Sequence, residues 1–186
     1  MLLMNLVFNG SEAEGKELLK PLFDIGPAVN QMRMDAYPEV NKLVPAMYGL
    51  RSSMKGAACI LPLREQFLGD VKKVFEDYID GCDDAAASVV AWELFDPCKV
   101  AALDEGSFAN RGYHLNGLVM PMWTKEENDQ KCRQFARDVS DMFKKEIQEH
   151  GKTPSKDSSV RGSKGAVMLY GNYDVSEICA TSSEFS

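Results

Sequence analysis

The residues Cys132, Phe135, Ala136, Val139, Met142, Phe143 and Ile147 recur at intervals of three and four. Only one face of an α-helix gathers such a pattern into a seam, so residues 124 to about 150 must form a helix that buries one stripe. Thr124-Lys-Glu-Glu127 opens it with the spacing of a capping box, in which a hydroxyl and a carboxylate three residues apart satisfy each other's backbone donors. Directly before it, Gly112 to Trp123 has the pattern of a long strand. Counted by twos, His114, Asn116, Leu118, Met120 and Met122 share one face, and Tyr113, Leu115, Gly117, Val119 and Trp123 share the other. A helix with one apolar seam, joined to a strand with two usable faces, points to helices packed on a sheet.

The rest of the chain extends that pattern. Leu2 to Phe8 is a short apolar run closed by Asn9-Gly10, which predicts a buried strand. Ser11-Glu-Ala-Glu14 is another capping box, opening a helix to about Asp24 that Gly26-Pro27 stops, and Gln31 to Tyr37 alternates as a second strand. Met54 to Leu61 predicts a third strand. Phe67, Val71, Val74, Phe75, Tyr78 and Ile79 then form a helical stripe ending at Gly81. Val89 to Phe95 is the next strand, Lys99 to Leu103 is expected to pair with it, and Ala166 to Tyr170 is the last. The expectation is an α+β fold, one domain over 1–186, with a mixed or antiparallel sheet of six to seven strands and three main helices on one face. Residues 152–165 read as a flexible loop and 175–186 as a tail. The other sheet face would need cover from a ligand, a partner or a second copy.

Composition narrows the function. Twenty-eight acidic against 21 basic side chains give a formal charge of −7, without a local cluster of Lys and Arg, which disfavours nucleic acid and anionic lipid. Five cysteines, at 59, 82, 98, 132 and 179, form neither a paired disulfide framework nor a zinc spacing, and read as free thiols. The opening run is too short for a membrane span and lacks a basic lead-in and cleavage site, so the expected location is cytoplasmic.

Several stretches together resemble a known family. Asn5-Leu-Val-Phe-Asn-Gly-Ser11 before an acidic helix, Ser107-Phe-Ala-Asn-Arg-Gly112, the strand Asn116 to Trp123 with the helix after it, and Tyr170-Gly-Asn-Tyr-Asp174 occur in an order and spacing covering nearly the whole chain. In these it resembles the C-terminal substrate-binding region of flavin-linked oxidoreductases of the berberine bridge enzyme type. The departures are also specific. The position at which the family can place its catalytic Glu falls on Leu118, Asn110 stands where the family has His, and the family's flavin domain has no counterpart in these residues.

The resemblance therefore implies a substrate domain without the family's redox machinery, and with no cofactor of its own. Such a surface could catalyse a cyclisation or a [4+2] or hetero-Diels–Alder cycloaddition in specialised metabolism, by orienting a reactive small molecule and donating a hydrogen bond. His114 and Asn116 are the candidate catalytic groups, since an imidazole or an amide can address a substrate oxygen. Each could equally be a satisfied structural group. Leu118, Met120, Met122, Met32, Met34 and Trp92 are candidate walls, with Arg51 and Arg111 as further donors. A homodimer would cover the bared face. The alternatives are the substrate part of a flavin-linked oxidoreductase, or a non-catalytic binding or dimerisation module.

Overall fold

The computed structural model describes residues 1–43, 47–102 and 114–150. It divides into two units, Met1–Tyr48 and Gly49–Ser186. In the first, the Ser11 box forms as read from the sequence: Ser11 N–H donates to Glu14 Oε2 at 2.9 Å, and Glu14 N–H donates to Ser11 Oγ at 3.3 Å. It opens α1 (Glu12–Leu18). Pro21 has no amide hydrogen to give, and the helix expected to run unbroken to Asp24 is divided at Leu19 from α2 (Lys20–Asp24). A 3-10 helix, Tyr37–Lys42, follows.

The strands expected over Leu2–Phe8 and Gln31–Tyr37 are not formed. Both stretches are exposed, with Leu2 at 83% and Met34 at 62%. A strand is stabilised by a hydrogen-bonded neighbour and one buried face, and neither stretch has these among the described residues.

The second unit runs β1 (Arg51–Ser52), β2 (Lys55–Cys59), α3 (Glu65–Asp80), β3 (Val89–Glu93), α4 (Cys98–Ala101), β4 (Leu115–Met120), β5 (Met122–Trp123), a 3-10 turn Glu126–Asn128, and α5 (Asp129–His150). The chain is thus α+β, but its described residues carry five strands in two small sheets rather than six or seven in one. β1 pairs with β5, and a three-stranded sheet has the order β2-β4-β3. β4 is antiparallel to both neighbours, so β2, α3 and β3 form a split βαβ unit with β4 in the gap. The segment expected as a strand over Lys99–Leu103 instead starts α4, because the Asp96 carboxylate accepts the Cys98 N–H at 2.9 Å and turns the chain there. The predicted strand Ala166–Tyr170, the loop 152–165 and the tail 175–186 lie outside the described residues.

Two of the predicted helices supply the core. α5 lies across β2 and β4, with α3 beside it, and Phe67, Val71, Tyr78, Cys132, Phe135, Ala136, Val139 and Phe143 are all buried. Their rings interlock. Phe67 meets Phe143 edge-on at 5.1 Å, and Tyr78 stacks on Phe135 at 3.9 Å. Gly117 on β4 is what lets α5 approach so closely: a Cβ there would sit 2.8 Å from Phe143 Cε1 and 3.1 Å from Ala57 Cβ. The third predicted helix, now α1 and α2, belongs to the first unit.

The start of α5 departs from the predicted Thr124–Glu127 box. Asp84, forty residues earlier, takes that role: its Oδ2 accepts Thr124 N–H at 2.8 Å, the Thr124 hydroxyl at 2.9 Å and Lys125 N–H at 2.6 Å, while Oδ1 accepts Asn128 Nδ2 at 2.7 Å. The Lys125 N–H above all, with the other three donors, holds the Asp84 carboxyl well below the usual carboxylate range. The long predicted strand is also interrupted. Pro121 separates β4 from β5, since it cannot donate to a ladder.

Candidate functional site

The pairing register decides which side chains share a face, because residues directly opposite in an antiparallel pair project the same way. Asn116 stands between Ala58 and Glu93, Leu118 between Gly56 and Ala91, and Met120 beside Val89. These residues make the outer face of the sheet, away from α5. The inner face carries Leu115, Gly117, Val119, Ala57, Cys59, Val90 and Trp92. Along β4 the inner residues are buried and the outer ones half-buried, in strict alternation. On this face Gly56 and Ala58 are buried, Asn116, Leu118, Met120 and Ala91 are half-buried, and Val89 and Glu93 are exposed; among the described residues it pairs Asn116 Nδ2, as donor, with Glu93 Oε2 at 3.0 Å.

Of the residues proposed from sequence, this face gathers Asn116, Leu118 and Met120. Three others are placed differently. Trp92 lies on the inner face, its ring 5.7 Å from that of Phe143, so it packs the core and does not wall the outer surface. Its indole N–H is buried without a hydrogen-bond partner among the described residues. Met122 lies beyond Pro121 in β5 and is 5% exposed; its N–H donates to Ser88 Oγ at 2.9 Å, and the break at Pro121 ends the alternation that would have set it beside Met120. His114 precedes β4 and is buried, at 6% exposed. Burial pushes its imidazole below the ordinary value, which favours the neutral ring near pH 7.

Arg51 is held by a two-pronged ion pair, Nε to Asp129 Oδ1 and Nη2 to Oδ2, each at 2.7 Å. Trp123 Nε1 donates to the same Oδ1 at 2.7 Å, and these donors, Arg51 first, bring the Asp129 carboxyl down to about 2. The group thus fastens β1 and β5 to the first turn of α5. Met32 and Met34 are exposed in the first unit. Arg111, with the Ser107–Gly112 segment, lies outside the described residues.

Glu93 is the outer-face group that sequence reasoning passed over. The signal was present: Trp92 and Glu93 must occupy opposite faces of one strand, so a Trp92 turned toward the core forces Glu93 outward. What the sequence lacked was the register that sets Glu93 opposite Asn116. Chemically, the pair offers a carboxylate and an amide whose remaining N–H and carbonyl can address a substrate oxygen or hydroxyl. No group of three or more His, Cys, Asp or Glu among the described residues is arranged to hold a metal ion. Nor is any helix among them long and apolar enough to cross a membrane. No protein family, curated protein or solved structure matches the chain.

Proposed function

We propose that the outer face of the β2-β4-β3 sheet is one wall of a small-molecule site, and that the chain promotes a cyclisation or cycloaddition by orienting a reactive substrate against it. The observation that carries this reading is the composition of the face among the described residues: Leu118, Met120, Val89 and Ala91 around the polar pair of Asn116 with Glu93. An apolar wall with one convergent donor suits a reaction that needs a folded substrate and one polarised carbonyl. Well-aimed donors of that kind lower barriers by about 3 kcal/mol once water is excluded. Leu118, at the position where the resembled family can carry its acid/base, cannot move a proton, which favours chemistry without proton abstraction there. Water exclusion requires a second body over the face, and a second copy of this chain is the proposed cover.

The family resemblance favours one further reading, in which the covering body is a flavin-bearing domain and the wall serves an oxidoreductase.

Mass comparison separates the two. Cyclisation or cycloaddition within one folded substrate is an isomerisation, so deleting the gene should leave a precursor of the same mass as the missing product, and Asn116→Ala should reproduce the accumulation in part. A precursor heavier by two hydrogens would overturn the cyclase reading in favour of the oxidase. Unchanged product with Asn116→Ala, but none on deletion, would leave a non-catalytic module.

A further inference from the structure

On the core side of the sheet, away from the proposed wall, the seam between α3 and α5 ends in two thiols. Phe67 faces Phe143, Tyr78 faces Phe135 and Cys82 faces Cys132, so residue numbers rise along one side of the seam as they fall along the other. The two helices are thus antiparallel, and one further turn past the Tyr78–Phe135 stack brings the cysteines together. Their sulfurs lie 4.0 Å apart, although fifty residues separate them in sequence. Both are buried, Cys82 at 3% exposed and Cys132 at 0%. The backbones on either side are tied. Lys131 Nζ donates to Gly81 O, joining the immediate neighbours of the two cysteines. The Asp84 carboxylate, two residues after Cys82, accepts from Thr124, Lys125 and Asn128 just before α5, and its Oδ1 lies 3.6 Å from Cys82 Sγ.

We propose that Cys82 and Cys132 are a modification site, at which hydrogen peroxide forms a reversible disulfide that staples the turn after α3 to the start of α5. Cys82, the less enclosed of the two, reacts first. Its thiolate attacks one peroxide oxygen and expels hydroxide, which takes up the proton the thiol gave; a sulfenic acid and one water result. The Cys132 thiol then attacks the sulfenic sulfur, and the oxygen leaves as a second water. Two thiols are oxidised to one disulfide while one peroxide is reduced to two waters. The sulfurs close from 4.0 Å to the disulfide length of about 2.05 Å, with the Lys131 and Asp84 ties holding the two backbones in place. Burial above all, then the Cys132 sulfur and the Asp84 carboxylate beside it, pushes the Cys82 thiol up to about 11. Thiolate is therefore scarce near neutral pH, and the pair responds to sustained rather than brief peroxide. Once formed, the bond closes a long loop and restricts the unfolded chain, at the junction Asp84 already fastens.

Hydrogen peroxide is added to the folded full chain, the remaining thiols are blocked under denaturing conditions, and peptides are mapped by mass with and without reduction. The expected product is a cross-linked pair of Cys82 and Cys132 peptides, lighter by two hydrogens than the free peptides together, which dithiothreitol separates. The melting temperature should rise by roughly 5–15 °C on oxidation and return on reduction. Cys132→Ala should abolish both the cross-link and the rise. Circular dichroism shows whether that variant folds, and Cys82→Ala, in the turn outside either helix, provides the same comparison. Cys98→Ala, which removes an exposed thiol, should leave cross-link and rise unchanged. In concentrated urea the same treatment should scatter the pairing among the cysteines, because the packing that selects this pair is gone. Both thiols staying free while peroxide modifies Cys98, cross-links dominated by another pair, the same pattern in urea as in buffer, or a cross-link that leaves the melting temperature unraised would each overturn the proposal.

Discussion

Replacing Gly117 by alanine tests the central packing claim, that the contact between β4 and α5 is set by the absence of a side chain. The added methyl would lie 2.8 and 3.2 Å from Phe143 Cε1 and Cζ, and 3.1 Å from Ala57 Cβ, where carbons are comfortable at about 3.5–4.0 Å. Phe143 has little freedom to retreat. It is fully buried, with Phe67 against it at 5.1 Å and Trp92 at 5.7 Å. Overpacking of this kind costs about 1–3 kcal/mol. The alanine recovers about 0.4–1 kcal/mol by restricting the unfolded chain, so the net loss should be about 1–2 kcal/mol. In a domain of this size that lowers the melting temperature by roughly 3–8 °C, read by circular dichroism or calorimetry. In a Phe143→Leu background the obstructing ring edge is gone, so the same glycine replacement should be close to neutral, a coupling of at least about 1 kcal/mol. An alanine variant as stable as the wild type, or an equal loss in both backgrounds, would refute the argument.

Asp84→Asn should destabilise the protein near neutral pH. The folded carboxyl lies below its unfolded value of about 3.9, so its contribution is complete above that value and fades as pH falls through the lower folded one; the gap between wild type and variant should close in acid melts. Trp92→Phe removes an indole donor buried without a partner, and its cost in chemical denaturation should stay within about 1 kcal/mol despite the lost ring area. Among the four described cysteines, Cys98 is exposed, whereas burial pushes Cys59 and Cys82 up to about 11 and fully encloses Cys132; a thiol reagent at about pH 8 should label Cys98 first, as mapped by peptide mass. Leu118→Gln on the outer face should change stability by less than about 1 kcal/mol while impairing product formation; an unfolded variant would place Leu118 in the core.

The parts legible in the sequence were those in which a repeat ran long enough to over-determine itself. Seven seam positions in α5 and six in α3 leave one helical phase that buries them, and the structure uses that phase. The Ser11 box succeeded for a related reason, since both partners lie within four residues. Thr124 has the same local pattern but a stronger competitor: Asp84 offers one carboxylate to the Thr124 and Lys125 amides and to the Thr124 hydroxyl, and no local reading finds a partner forty residues away. The run from Leu2 to Phe8 has strand composition, yet composition does not provide a neighbouring strand. The break in the long strand was visible as Pro121, but the alternation on either side of it masked the reset of phase that buries Met122.

The candidate wall was legible only in halves. Counting by twos along β4 brings Asn116, Leu118 and Met120 together whatever the neighbours are, and that part holds. Which of the two faces is turned away from the helix depends instead on the side α5 chooses, and Gly117 settles it, since only the face without a Cβ at the strand's centre admits the Phe143 ring at that distance. The same choice turns Trp92 inward, because it stands opposite Gly117 and so contributes its indole to the ring cluster, and turns Glu93 outward to meet Asn116. One glycine thus links the helix packing to the chemistry of the far surface. The period of the strand then keeps the two apart, so the outer residues can change while the buried rings keep their places.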